Sequence, residues 1–262
     1  MRDIVVHCPG FRNWHASVRY AAQLAASTRA TLTGLYVTAR DGSAPGPPLL
    51  AEEVTAYAQE ELHQAILAGR RFAEWAGQLG AREARWQVAI GPLADALVLA
   101  GNWTDVLVLQ GLAPSSSAGE RLFCEVLLSG TACIAVPDAN VAPGRVVHAV
   151  VAWNDSAASN RALHGALPLL RGAESVTLLQ ASSAKSNALS HLRAHGVVVT
   201  TVGTIAAADE SASEQLLAYA ADQRADLLVM GASGRRRLGD RCLGPTTSAV
   251  LSQSRVPVFL KH

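Results

Sequence analysis

The sequence predicts an α/β protein made of two tandem doubly wound domains, each a five-stranded parallel sheet flanked by helices. Three observations predict it. Valine-rich apolar runs such as VVHAVVAW (146–153) have the composition of strands covered on both faces. They alternate with longer stretches whose apolar residues recur at helical spacing, the pattern of a parallel sheet with crossover helices. The second half also echoes the first, in order. RDIVVHCPG at Arg2 is answered by HAVVAWNDS at His148, TDVLVLQG at Thr104 by ADLLVMGA at Ala225, and LLSGTACIAVP at Leu127 by VLSQSRVPVFL at Val250. PDANVAPGR (137–145) between the copies reads as a linker, giving domains at 1–138 and 144–262.

In the second copy VVHAVVAW is the first strand, and SAASNRALHGALPLL follows with Ala162, Leu163, Ala166, Leu167 and Leu170 on one helical stripe. Pro168 is expected to bend or shorten that helix. SVTLLQ is a second strand, SNALSHLRAH a short helix stopped by Gly196, and VVVTTV a third strand. Ser211 and Glu214 read as a capping box opening the helix SEQLLAYAADQ. DLLVM is a fourth strand, followed by a glycine-rich loop, a helix through TTSAVLSQS and a last strand VPVFLK. The first copy keeps this order but has a longer second helix through Glu52–Leu79, with Val54, Tyr57, Ala58, Leu62, Ala65 and Ile66 expected mostly on the sheet.

Half of the 262 residues are apolar, 16% are charged and the formal net charge is +1, so composition gives no bias toward nucleic acid, and none is expected as a partner. No stretch of about 18 uninterrupted apolar residues occurs, and MRDIVVHCPG is no secretion signal, so a cytoplasmic protein without a membrane span is expected. The four cysteines (Cys8, Cys124, Cys133, Cys242) lack metal-ligand spacing and read as buried thiols. His191 and His195 lack an HExxH glutamate and read as a surface pair, so no metal motif is found. His7 reads as a core histidine. The five tryptophans read as dispersed core or interface anchors, with Trp153 placed to face or fill one side of the crevice.

The loop VMGASGRRRLGDRCLGPTTSAV (229–250) carries the chemistry. Doubly wound sheets bind ligands beyond the strand C-termini where strand order reverses, and this loop follows the fourth strand there. A Walker A loop fails, because Asp240 and Arg241 stand where Lys and Ser or Thr are required. A G-x-G-x-x-G dinucleotide fingerprint fails on spacing. Gly231, Gly234 and Gly244 fit G-x-x-G-x9-G, and with the flanking ADLLVMGASG and SQSRVPVFLKH this resembles the universal stress protein family, its tandem members most.

The resemblance implies a stress-linked regulator with ATP or another adenine nucleotide as ligand, held by backbone at the first glycines and by the helix N-terminus after the last. Carried over, Met230, Gly231, Gly234 and Gly244 match. The family's acid falls on Asn154, and its phosphate-binding hydroxyl falls on Pro245, with Thr246 one position late. Proline also removes one amide donor, though it suits a helix start. Arg235, Arg236, Arg237 and Arg241 offer positive charge, or form a solvated loop. The first half departs further, with Pro9 at the acid position and Gln110 at the first glycine. Its expected role is to pair with the second half as a built-in dimer, CIAVP meeting VPVFLK edge to edge. A homodimer and a protein partner stay open, and so do four functions: a nucleotide-binding regulator, a scaffold or interaction protein with both nucleotide sites lost, a pocket repurposed for a different small molecule, and an enzyme with slow ATP hydrolysis or another reaction on an adenine nucleotide. No G-x-S-x-G elbow or catalytic residue is assigned.

Overall fold

The computed structural model describes residues 1–38, 51–111, 116–138, 144–184, 188–205, 210–232 and 243–262, the side chains at 51–57 and 210–211 excepted. The first half runs β1 (Asp3–His7), α1 (Ala16–Thr28), β2 (Thr31–Thr38), α2 (Ala51–Gln78), β3 (Glu83–Ile90), α3 (Leu93–Gly101), β4 (Val106–Gln110), α4 (Ser117–Leu128) and β5 (Cys133–Val136). The second runs β6 (His148–Trp153), α5 (Ala157–Leu170), β7 (Ser175–Ala181), α6 (Ala188–Ala194), β8 (Val199–Ile205), α7 (Glu210–Asp222), β9 (Leu227–Gly231), α8 (Pro245–Gln253) and β10 (Val258–Lys261).

All ten strands form one sheet in the order β3-β2-β1-β4-β5-β10-β9-β6-β7-β8. Pairing within each half is parallel. The halves meet where β10 pairs β5 antiparallel, with Val258 opposite Ala135, Phe259 opposite Ile134 and Leu260 opposite Cys133. Within each half the chain leaves its first strand toward both sides, so a crevice opens beyond β1 and β4, and another beyond β6 and β9.

Alternation along the strands sorts the core into two layers. Ile4, Val6, Ile134, Val151, Trp153 and Phe259 pack with α1, α2, α5 and α6 on one face. Val5, Cys133, Val150, Val258 and Leu260 pack with α3, α4, α7 and α8 on the other. Both layers run across the junction of the halves. A Cβ built on Gly165 of α5 would lie 3.1 Å from Phe259 Cζ, so glycine lets the helix settle onto this ring. The duplication also repeats an anchor that the sequence reading missed. Asp226 Oδ2 accepts from the Val147 and His148 amides at 2.9 and 2.8 Å, and Asp105 Oδ2 accepts from the Arg2 and Asp3 amides.

Several local expectations change. Trp14, Trp75 and Trp86 are not dispersed; with Phe72 they form one cluster, ring centroids 5.1–6.1 Å apart, between α2 and the sheet. Trp103 is 85% exposed and anchors no core. The buried stripe of α2 is Ala65, Ala68, Phe72 and Ala76, while Ile66 faces outward; the side chains of Val54 and Tyr57 lie outside the described residues. α5 continues through Pro168 to Leu170 rather than stopping short. α7 begins at Glu210, so Ser211 sits inside the helix and not at its cap. Cys8 and Cys133 are buried free thiols, but Cys124 is disulfide-bonded. Among the described residues no helix is long and apolar enough to cross a membrane.

Phe259→Ala removes a fully buried ring at the junction and should cost about 3–5 kcal/mol in urea denaturation. Leu99→Ala, at an exposed site, should stay within about 0.5 kcal/mol, and equal losses for the two would refute this placement of the core.

Candidate functional site

Beyond the ends of β6 and β9 lies a cleft of about 360 Å³. Its apolar wall is made by Ala152 and Trp153 at the end of β6, Met230 at the end of β9, Ile205 at the end of β8 and Leu216 of α7. Trp153 is buried within the α5-side core and also lines this wall. The polar groups stand around it: Asn154, Ser156 and Arg161 on one side, Thr246 and Thr247 on another, and His262 from the segment after β10.

The turn from β6 into α5 follows from its side chains. Asp155 adopts φ +66°, and Ser156 caps α5 by accepting the Ser159 amide at 3.1 Å. Asn154 Oδ1 accepts from the Ser156 amide at 3.2 Å and the Ser156 hydroxyl at 2.7 Å. The carbonyl of Asn154 is therefore engaged within the turn, leaving Nδ2 as a neutral donor.

Gly231 has a structural task as well as the expected ligand role. A Cβ there would lie 2.4 Å from Ser159 N and 2.5 Å from Ala158 C, so only glycine lets the end of β9 meet the first turn of α5. Gly244 is the N-cap of α8 and supplies no side-chain cap, and Pro245 takes the first helical position. The amides of Thr246 and Thr247 fall in the helix's first turn, where backbone N–H groups lack helical partners. The threonine hydroxyl expected one position late therefore lines the cleft, joined by that of Thr247. Asn154, Met230, Gly231 and Thr246 all line it. Gly244 sits directly before the helix that carries Thr246. Gly234, Arg235 and the other residues of 233–242 lie outside the described residues.

The corresponding cleft of the first half, about 320 Å³, is lined by His7, Pro9, His15, Gln110 and Asp138 among others. Gln110 occupies the register of Gly231, and its side chain bridges the space: Oε1 accepts from the Ser17 hydroxyl at 3.1 Å and Nε2 donates to Asp138 Oδ1 at 2.9 Å. Burial and, second, the neighbouring His15 pull His7 down to about 4.

His191 and His195 are joined by His164, with ring centroids 4.4–6.4 Å apart. Arg171 Nη2 lies 3.1 Å from His195 Nδ1 and donates to it. Burial, then His195 and His164, lower the pKa of His191. Among the described residues no group of three or more His, Cys, Asp or Glu is arranged to hold a metal ion. Sequence reasoning missed Arg161 and His262 in the cleft, and it missed the bridging by Gln110. Arg161 was findable, since it stands one helical turn after Ala157 at the mouth of the crevice.

Two predictions follow from these contacts. Gly231→Ala should force α5 away from β9 and cost about 1–3 kcal/mol of stability in urea; an unchanged midpoint would contradict the close approach. His7 stays neutral in the fold down to about 4, whereas the unfolded chain takes up a proton near about 6.5. The unfolded state thus binds more protons in that window, and stability should fall on acidification through it, by on the order of 3 kcal/mol in total. His7→Gln should flatten that pH dependence, and an identical profile in the variant would contradict it.

Residues 138–261 match the model of the universal stress protein family. A universal stress protein from Archaeoglobus fulgidus DSM 4304 is 17% identical, with 99% of this chain and 97% of that chain aligned at a TM-score of 0.73. A Pseudomonas aeruginosa UCBPP-PA14 protein assigned to the same family is 13% identical, with 100% of this chain and 93% of that chain aligned at a TM-score of 0.53. A universal stress protein in complex with cAMP is 20% identical over 53% of this chain and 98% of its own, at a TM-score of 0.37. Comparison with curated proteins finds no match. The described sheet, the loop spacing and the family match converge: residues 138–261 match the universal stress protein family, and the whole chain shares the fold of the Archaeoglobus protein.

Proposed function

We propose that the second half binds an adenine nucleotide in the cleft between β6 and β9, and that the chain is a non-catalytic, cytoplasmic stress regulator. The observation that carries this reading is the asymmetry of the two clefts. At one position Gly231 has no side chain to span the second cleft, whereas Gln110 ties Ser17 to Asp138 across the first.

The residues present suit such a ligand. The apolar wall would take the base, Asn154 Nδ2 would donate to a ribose hydroxyl, and Thr246 and Thr247 offer hydroxyls and first-turn amides. A volume of about 360 Å³ falls at the small end of ligand sites, the size of a mononucleotide. In this reading residues 1–138 and 144–262 are two domains, and the first serves as a fixed partner through β5 and β10. The second reading is a scaffold without nucleotide; the engaged carbonyl of Asn154 and the missing amide at Pro245 favour it.

Titration calorimetry of the full chain with AMP, ADP and ATP separates the two. Binding of at least one is expected, together with a thermal shift: at a hundredfold excess over Kd the stabilisation is about 2.7 kcal/mol, roughly 5–10 °C for a chain of this size. No heat and no shift with any of the three would overturn nucleotide binding and leave the scaffold.

A further inference from the structure

We infer that the chain self-associates through β8, the outer strand of its second half, by pairing this strand antiparallel with the same strand of a second copy. The inference is independent of whether the cleft binds a nucleotide.

Among the described strands the sheet ends at β3 on one side and at β8 on the other. The two edges hold the same place in the repeat but are finished differently. At the start of β3, Glu83 and Arg85 form an ion pair, and charge on an edge discourages pairing with another strand. The 28-residue α2 also lies over β3, with Trp86 Nε1 donating to the Ala65 carbonyl at 2.8 Å. β8 has neither device. Residues 197–205 read VVVTTVGTI, without a charge or a proline. The helix before it, α6, has only seven residues, and Val198 and Val202 stay 54% and 47% exposed. β8 carries one irregularity near its start, opposite Val176 and Thr177, after which Thr201–Ile205 pairs with Thr177–Ala181 in unbroken register.

The backbone decides which groups a second strand can use. Along β8 the N–H and C=O of successive residues turn alternately toward β7 and away from it. The Ile205 carbonyl accepts from the Ser182 amide at 3.0 Å. The backbone groups of Thr201 and Gly203 therefore also face β7, and those of Val202 and Thr204 point out from the sheet. A two-fold axis at Val202 lets the two copies of this residue exchange both backbone hydrogen bonds. It also sets Thr200 opposite Thr204, a favourable cross-strand pair. Val202 is registered with Leu178 of the α5–α6 core layer, so the two valines meet on the face that short α6 leaves exposed. The molecule already joins two sheets in this way, since β5 and β10 pair antiparallel between its own halves. Self-pairing opposes no charges and closes at two copies, whereas β8 on β3 would bury Glu83 or Arg85 and build an open chain.

Sedimentation of the full chain without nucleotide tests the assignment. The wild type should pass from monomer to dimer as concentration rises, with a Kd of roughly 10–100 µM, as suits a small interface. Val202→Lys sets two like charges against each other at the axis and should weaken association about tenfold or more. Ile90→Lys, at a site on β3 of similar exposure, should leave it unchanged. Val202→Cys, close to the native side chain in size, should cross-link into dimers under mild oxidation, because directly paired strand residues lie within reach of a disulfide. Ile90→Cys should not. A wild type that stays monomeric up to about 1 mM, or that assembles beyond the dimer, would overturn the inference. So would association unaltered in Val202→Lys or lost in Ile90→Lys, or cross-linking that is absent in Val202→Cys or equal in Ile90→Cys.

Discussion

The contact on which the site depends is the backbone approach at Gly231. A side chain there would meet Ser159 N at 2.4 Å, so the end of β9 and the first turn of α5 can touch only because that position has no Cβ. The contact fixes α5 over the end of the sheet and with it Ser156, Asn154 and Arg161 around the crevice. In the first half the same register position carries Gln110, whose amide spans from Ser17 to Asp138. One residue type, compared across the repeat, decides whether a side chain at this position spans the cleft.

That asymmetry is held in a single body by the pairing of β5 with β10. Three facing residue pairs join the halves, and the side chains on either face of those strands enter core layers shared by both. Phe259 illustrates the coupling: it faces Ile134 across the seam and lies beneath Gly165 of α5, the helix that carries Arg161. On the other face the Ser248 hydroxyl of α8 donates to Glu120 of α4, so the helix opening at Gly244 touches the first half directly. A tandem arrangement makes each of these contacts intramolecular, so the two halves need not find each other in solution.

Much of this was legible in the sequence because it depends on local pattern. Strand identity followed from runs such as VVHAVVAW, the repeat from matched segments in the same order, and the position of Gly231, Gly244 and Thr246 from loop spacing. What escaped depends on residues distant in sequence. Trp14 comes from the β1–α1 connection, Trp75 from α2 and Trp86 from β3, and only the packing of α2 on the sheet brings them together around Phe72. Periodicity alone put Ile66 on the buried face of α2, where the packed face turns out to run through Ala65, Ala68 and Phe72. The bridging by Gln110 needs three residues from α1, β4 and the segment after β5. His262 escaped for the same reason, since it enters the cleft from the segment after β10, far in sequence from β6 and α5.

The most direct test of the central claim counts ligands per chain. Native mass spectrometry of the full protein with AMP in excess should show one nucleotide bound per chain, because the two clefts differ at the position of Gly231 and Gln110. Two nucleotides per chain would contradict the claim that the first cleft is lost, and none would contradict the claim that the second is kept.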